Sequence, residues 1–351
     1  MTGEPATSRA KHDLPKSVKS SFGVPLSTAP MEAKAADTLP ADGGPWQYEP
    51  KWDGFRCLAF KSGGAVELRA KSGKPLGRYF PEIVAMLREL KAKEFVVDGE
   101  IVIEIAGLLS FDALQMRLHP AESRIHKLSV ATPAKLILFD MLANSDGALM
   151  QQPLSVRHAA LSLFVKSGEL KDLELSRSTL NLAAASKWLG ESGQGSTDGV
   201  VAKLLDDEYR PGKRAMVKVK RLRTADCVVG GFRYLANSRE VGSLLLGLYN
   251  DQGQLDHVGF TSTIARDDRA ELTRQLEALR SAPGFTGKAP GGPSRWSAER
   301  SGQWEPLRPD LVAEVRFDHV TGDRFRHGTK FLRWRPDKSP KQCTFEQILG
   351  K

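Results

Sequence analysis

Cysteine is scarce in this chain. Of 351 residues only Cys57, Cys227 and Cys343 are cysteines, far apart and odd in number. They make neither a disulfide framework nor a zinc spacing, and seven scattered histidines add none, so structural zinc and haem find no support and a reducing compartment is expected. No apolar run approaches the roughly 20 residues that cross a bilayer. The N-terminus, MTGEPATSRAKHDLPKSVKSSFG, lacks the apolar core of a secretory signal. Residues 1–25 read as a flexible polar tail, and there is no internal repeat. Polymerase and nuclease modules are not evident, so such activities are expected to come from partners. A monomer without a membrane role is expected, cytoplasmic and nucleoid-associated if bacterial.

What is present fits a globular protein of two domains. Hydrophobic residues make up 40% and charged residues 26%, a balance that supports a real core. The net charge of +9 favours polyanionic partners, nucleic acid among them, without singling one out.

Residues 47–61 read as extended, and a turn at Gly63 and Gly64 returns the chain through AVELRA as a hairpin. Ile83, Val84, Leu87 and Leu90 have the spacing of an amphipathic helix over 80–92. EFVVDGEIVIEI is strand-like, SFDALQMRL a helix with Ser110 as N-cap, and KLILFDML a buried strand. Helices are expected at 153–165 and 180–190, then strands at DGVVAKLL and AMVKVK. After Arg223 the texture changes. ADCVVGGFRY, VGSLLLGLYN and LDHVGFTS are strands broken by turn residues. A helix at 266–280 follows, then a Gly/Pro-rich loop at 283–294, then strands in LVAEVRFDHV and TKFLRWR. Short strands with one helix suggest a small barrel. The fold class is α+β, and the domain boundary falls near 222–224.

Several short segments could carry chemistry. KWDGFR places Lys51, Asp53, Gly54 and Arg56 together between strands. A lysine kept neutral by desolvation or by neighbouring cations is a covalent nucleophile. On a solvated strand edge the same lysine is one basic residue among 51. DGE (Asp98–Glu100) reads equally as a turn, Phe139 in LFD as a core aromatic, and KVK (Lys218, Lys220) as an exposed strand face. DGVVAK (Asp198–Lys203) and RWRPDK (Arg333–Lys338) complete the series.

In this order and in one chain, these segments resemble the covalent nucleotidyltransferase superfamily of ATP-dependent DNA ligases, RNA ligases and mRNA capping enzymes. The resemblance covers residues 30–340. YEPKWDGFR, GLLSFDALQMR and RHGTKFLRWRPDKSP look like bacterial DNA ligases of end-joining repair, in stand-alone form or as a ligase module. It implies an adenylation (nucleotidyltransferase) domain over 26–222 and a C-terminal OB-fold barrel over 223–351. It further implies that Lys51 attacks the α-phosphate of ATP, carries AMP, passes it to a 5′-phosphate, and lets the adjacent 3′-hydroxyl close the strand. These are phosphoryl transfers, which rest on positioning, cations and a divalent metal, Mg2+ or Mn2+.

Roles follow by resemblance. Glu49 matches the position that meets adenine, Phe139 the aromatic stacked on it, and Glu100 and Arg56 the groups near the ribose. Asp198, with Glu100, matches the metal ligands. Lys218 and Lys220, on one strand face, would hold the α-phosphate with Arg214 nearby. Arg335, Asp337 and Lys338 match the barrel motif that reaches the departing pyrophosphate. Two positions depart from the family pattern: Asp198 stands where Glu is usual, and Lys71 where Arg is usual. Lysine lacks the two-pronged guanidinium, and Arg69, read as sharing its strand face, is the expected substitute toward the nick phosphate. The acid-free run from Gly212 to Arg223, with Lys213, Arg221 and Arg223, is expected to grip DNA backbone. Nicked or broken duplex DNA is the expected partner, and a Ku-like end-binding protein is compatible. The alternatives are an RNA ligase or capping-type enzyme, and a non-catalytic nucleic-acid-binding module.

Overall fold

Strand alternation organises the first half of the molecule. Cys57 and Ala59 pack with Leu68, Phe80, Ile83 and Leu87, while Leu58 and Phe60 pack with Val96, Leu142, Tyr209 and Met216. Successive strand side chains point to opposite faces, so a strand buried on both needs apolar residues at both parities. The computed structural model describes residues 23–168, 170–193, 197–291 and 303–349. The chain divides into two compact units between Val219 and Lys220.

The first unit runs β1 (Glu32–Ala36), β2 (Trp46–Trp52), β3 (Phe55–Ser62), β4 (Ala65–Ala70), α1 (Pro81–Glu89), β5 (Glu94–Ile105), β6 (Leu108–Leu109), α2 (Phe111–Arg117) and α3 (Glu122–Ala131). It continues with β7 (Ala134–Asn144), β8 (Gly147–Ala148), α4 (Leu154–Gly168), β9 (Leu173–Leu175), α5 (Leu182–Glu191), β10 (Thr197–Leu204) and β11 (Arg214–Lys220). One sheet has the order β4-β3-β5-β7-β8, with β6 on β5 and β9 on β7; the other has the order β1-β11-β10-β2. The outer face of the first sheet is covered by α1, α2 and α4, and that of the second by α5. Their inner faces meet through Leu58, Phe60, Val96, Tyr209 and Met216.

Local chemistry sets the helix ends. Ser110 caps α2 by accepting from the Ala113 N–H, and Asn181 caps α5 by accepting from the Ala184 N–H. At the end of α1 the buried Lys61 Nζ donates to the carbonyls of Arg88 and Leu90, at 3.0 and 2.5 Å, which satisfies acceptors the helix leaves open.

Some elements were not expected. In α3 only Ile125 and Ser129 are buried, too thin an apolar stripe to read from sequence. The strand β1, EAKAA, has no β-branched or aromatic residue and exists through its parallel pairing with β11. Val24 is fully buried in the inter-sheet core, so the polar tail does not extend to residue 25. The rest of that expected tail, residues 1–22, lies outside the described residues, as do residues 292–294 of the Gly/Pro-rich loop.

The second unit contains β12 (Arg223–Tyr234), β13 (Val241–Tyr249), β14 (Leu255–Thr261), α6 (Arg269–Ala278), β15 (Glu305–Pro306), β16 (Val312–Phe317), β17 (Val320–Thr321), β18 (Arg324–Phe325), β19 (Lys330–Trp334) and α7 (Glu346–Leu349). The main sheet has the order β14-β13-β12-β16-β19, with β15 on β12, and β17 and β18 form a short ribbon. A parallel bridge between Thr261 and Thr329 joins its two ends. The sheet therefore closes into the five-stranded barrel of an OB-fold, around Val228, Phe232, Leu244, Leu246, Val258 and Val315.

Candidate active site

Between the inner faces of the first unit's sheets lies a cavity of about 240 Å³. It is reached from one sheet by Glu49 and Lys51 of β2, Val201 and Lys203 of β10, and Met216 and Lys218 of β11. From the other come Arg56 of β3, Glu100 of β5 and Phe139 of β7. In β10 and β11 the lining residues follow the strand period of two. Thus Val217 and Val219 face α5 while Lys218, between them, lines the cavity. Five cations and three carboxylates line this space, counting Lys71 and Glu32, a positive surplus suited to a polyphosphate.

Lys51 meets Asp198 through a bulge. In the β10–β2 pairing Gly199 lies opposite Lys51 and Thr197 opposite Trp52, so Asp198 is an inserted residue. Such an insertion re-aims a side chain, and Asp198 Oδ1 sits 2.9 Å from Lys51 Nζ. The turn after Trp52 requires glycine. A Cβ at Gly54 would lie 2.3 Å from the Ile101 carbonyl oxygen and 2.8 Å from Glu100 Cγ. A Cβ at Gly99 would lie 2.6 Å from the Ile137 carbonyl oxygen. Both glycines let backbone approach where the site's acidic strand passes.

Behind the cavity a buried carboxylate fixes the arginine. Asp98 accepts from Arg56 Nε and Nη2 at 2.5 and 2.6 Å, and from the Tyr209 hydroxyl at 2.6 Å. Burial acts to lower the Arg56 pKa, but the Asp98 charge outweighs it and raises the pKa above the ordinary value. Glu100, two residues on, has its pKa pushed up to about 7 by burial, with Arg56 and Lys51 opposing.

The aromatic end is held by a buried ion pair. Lys203 Nζ lies 2.8 Å from Glu49 Oε1 and donates to Glu49 Oε2 at 2.9 Å and to the Phe139 carbonyl at 3.1 Å; Gln47 Nε2 also donates to Glu49 Oε1. Both Lys203 Nζ and the Arg56 guanidinium approach the Phe139 ring, at 4.7 and 4.5 Å from its centroid. The next residue, Asp140, turns away to the buried Arg157, so LFD splits between site and scaffold.

Known proteins match both units. The ATP dependent DNA ligase domain matches residues 30–220, more than half of the chain, and the ATP dependent DNA ligase C terminal region matches residues 237–338. The chain belongs to the ATP-dependent DNA ligase family. It is similar to DNA ligase C1 of Mycolicibacterium smegmatis, 44% identical over 91% of this chain and 93% of that protein. DNA ligase C of Mycobacterium tuberculosis is 41% identical over the same shares. Among solved structures, the ligase domain of M. tuberculosis LigD superposes with a TM-score of 0.50 at 28% identity, over 91% of this chain and 98% of that one. The ligase therefore has a nucleotidyltransferase domain followed by an OB-fold domain.

Within the ligase, Glu49, Lys51, Arg56, Glu100, Phe139, Lys71 and Lys218 line the cavity, and Asp198 touches Lys51. Lys220 does not line it. It falls at the start of the second unit and donates to Asp318 Oδ2 at 2.7 Å. The expected sharing of one strand face by Arg69 and Lys71 is also corrected: β4 ends at Ala70, so Lys71 sits in the following turn. Lys71 pairs with Glu32 at 3.1 Å, while Arg69 is tied to Glu67 and the Gly73 carbonyl. Arg214 is exposed and 3.7 Å from Glu32, outside the cavity lining. Lys213 is exposed and Arg221 half-buried. Arg223 packs over Phe317 and donates to the Ile348 carbonyl, a scaffold position in the barrel.

Sequence reading passed over Lys203, Asp98 and Glu32. The first two were legible as the last residue of DGVVAK and the first of DGE; Glu32 gave no signal, because β1 itself was invisible. No helix among the described residues is long and apolar enough to cross a membrane.

Proposed function

We propose that this ligase seals 5′-phosphate/3′-hydroxyl nicks or breaks in duplex DNA through AMP carried on Lys51. The convergence of Lys51, Arg56, Glu100, Phe139 and Lys218, from five strands of two sheets, on one cavity supports the reading. Phe139 takes the adenine face, with Glu49 at the base edge. Arg56 and Glu100 flank the ribose, and Lys218 holds the α-phosphate. Lys51 must shed a proton before its nitrogen can attack, and Asp198 Oδ1 is an acceptor 2.9 Å away. Attack forms the Lys51–phosphorus bond and releases pyrophosphate. Transfer of AMP to a 5′-phosphate and attack by the 3′-hydroxyl complete the reaction and release AMP.

A divalent cation fits the donor set. Asp198 beside Lys51 and Glu100 in the cavity lining would offer oxygen ligands, and two carboxylates with substrate phosphates suffice for Mg2+ or Mn2+. When bound, it would neutralise charge on the transferring phosphoryl group. Arg335 and Lys338 act on the pyrophosphate side of the first step. Exposed Lys213 and Arg214 contribute to the DNA backbone grip, which predicts affinity for nicked duplex that falls steeply with salt; a flat response would remove that grip. End-joining repair with a Ku-like partner is the physiological setting.

Label transfer tests the whole reading. The protein is incubated with α-labelled ATP or GTP in Mg2+ and then Mn2+, before and after pyrophosphate treatment to clear bound AMP. A covalent band with ATP, absent in Lys51→Ala, supports it. A GTP-specific band points to a capping-type enzyme, and no band under any condition overturns the covalent mechanism.

A further inference from the structure

Asp226, near the start of β12 in the second unit, belongs to none of the motifs read from the sequence. Its side chain is 10% exposed, yet it is the meeting point of two cations from the RWRPDK run. Arg335 Nη1 donates to Oδ1 and Lys338 Nζ to Oδ2, each at 2.8 Å. The main chain of Asp226 is clamped from α7: its N–H donates to Gln347 Oε1, and Gln347 Nε2 donates to its carbonyl, both at 3.0 Å. Arg335 is held further by its own N–H on the Val312 carbonyl and by Nε and Nη2 on Asp337.

The arrangement is more than one surface ion pair. Arginine and lysine side chains lose rotamer entropy when they grip an anion. A fixed carboxylate that orders both beforehand reduces what remains to be lost, and keeps two like charges side by side. A carboxylate with one oxygen for each cation is also a geometric stand-in for a phosphate with its two oxygens.

We propose that Asp226 is a positioning residue for the first step: it presets Arg335 and Lys338 for the pyrophosphate portion of ATP and yields them to it. This rests on the proposed role of those two cations. Asp226 itself does not touch the reacting atoms.

The test separates the steps of ligation in the full chain. Single-turnover self-adenylation with ATP is compared with sealing of a nick that already carries AMP on its 5′-phosphate. Asp226→Asn keeps the shape and loses the charge. Its self-adenylation rate constant is expected to fall about tenfold, with sealing of the adenylated nick within about twofold of wild type. Asp226→Glu, which restores the charge, is expected to recover most of that loss. Lys338→Ala is run in parallel. If Lys338→Ala loses self-adenylation while Asp226→Asn retains it, the positioning role is wrong and the cation reading stands. If Lys338→Ala retains self-adenylation, the cation reading fails and the inference with it. Equal losses in both steps for a folded Asp226→Asn protein would mean a purely structural residue and overturn the proposal. Should Asp226→Asn not fold, Gln347→Ala decides, since it removes two hydrogen bonds from the Asp226 main chain without altering a charge. A fall of about threefold in self-adenylation alone supports the proposal, and an unchanged rate overturns it.

Discussion

In the first unit the cations assigned to nucleotide chemistry converge on a cavity; in the second they converge on internal carboxylates. Lys51, Arg56, Lys203 and Lys218 reach one space from two sheets. Lys220 rests on Asp318, and Arg335 and Lys338 rest on Asp226. The difference is one of rigidity. Strands packed on both faces hold side chains where an empty site would otherwise cost charge repulsion. The long side chains near Asp226 leave a loop beyond β19 and are ordered by a counter-charge. Both regions pair their cations with carboxylates; in the first the strand backbone also aims them, and in the second the pairing alone orders long side chains.

Four measurements test that contrast. Lys51→Ala should give the largest effect, complete loss of the AMP-labelled band, and residual labelling at wild-type level would show that the cavity does not hold the nucleophile. Next in size is Lys203→Met. It leaves Glu49, 2% exposed, without its buried cation. Breaking such a pair costs about 3–5 kcal/mol. Denaturant unfolding should show it, and Lys203→Met with Glu49→Gln should recover part of the loss. A change under about 1 kcal/mol would mean that the cavity wall does not depend on this pair.

Glu100 gives a pH-dependent effect. Its folded pKa of about 7 lies above the ordinary 4.5, because burial favours the neutral acid. Below 4.5 both folded and unfolded forms are protonated and the stabilising contribution of the neutral group is fully present. As pH rises through about 7 that contribution is lost. Glu100→Gln should therefore melt higher than wild type at about pH 8, with the gap shrinking toward about pH 5, while adenylation falls. A gap independent of pH would show that the carboxylate is not desolvated. The smallest effect is expected from Ser110→Ala, about 1 kcal/mol from the lost α2 cap. That loss should leave self-adenylation of the remaining folded protein unchanged; a specific loss of labelling would tie α2 to the site.

Much of the architecture was legible beforehand. The hairpin of β3 and β4, the capped α2, β5, β7 and the barrel strands all carry strong local patterns and appear where those patterns lie. The cavity face of β11 was also legible, because valines at 217 and 219 alternate with Lys218. Lys220 keeps that alternation, but its Nζ is taken by Asp318, 98 residues away, a partner no local pattern names. Lys71 and Arg69 part because a strand period no longer applies beyond Ala70.

The two-part α+β organisation, the family resemblance and the segments that carry the chemistry could be read from the sequence alone. These are local properties: periodicity, caps, turns and short motifs. Which residue of each segment faces the cavity, that a bulge turns Asp198 toward Lys51, that Asp98 and Asp226 hold arginine and lysine side chains, and that Lys203 holds Glu49 all follow from the fold. Those outcomes depend on strand register and on contacts between residues far apart in the chain, which no local pattern records.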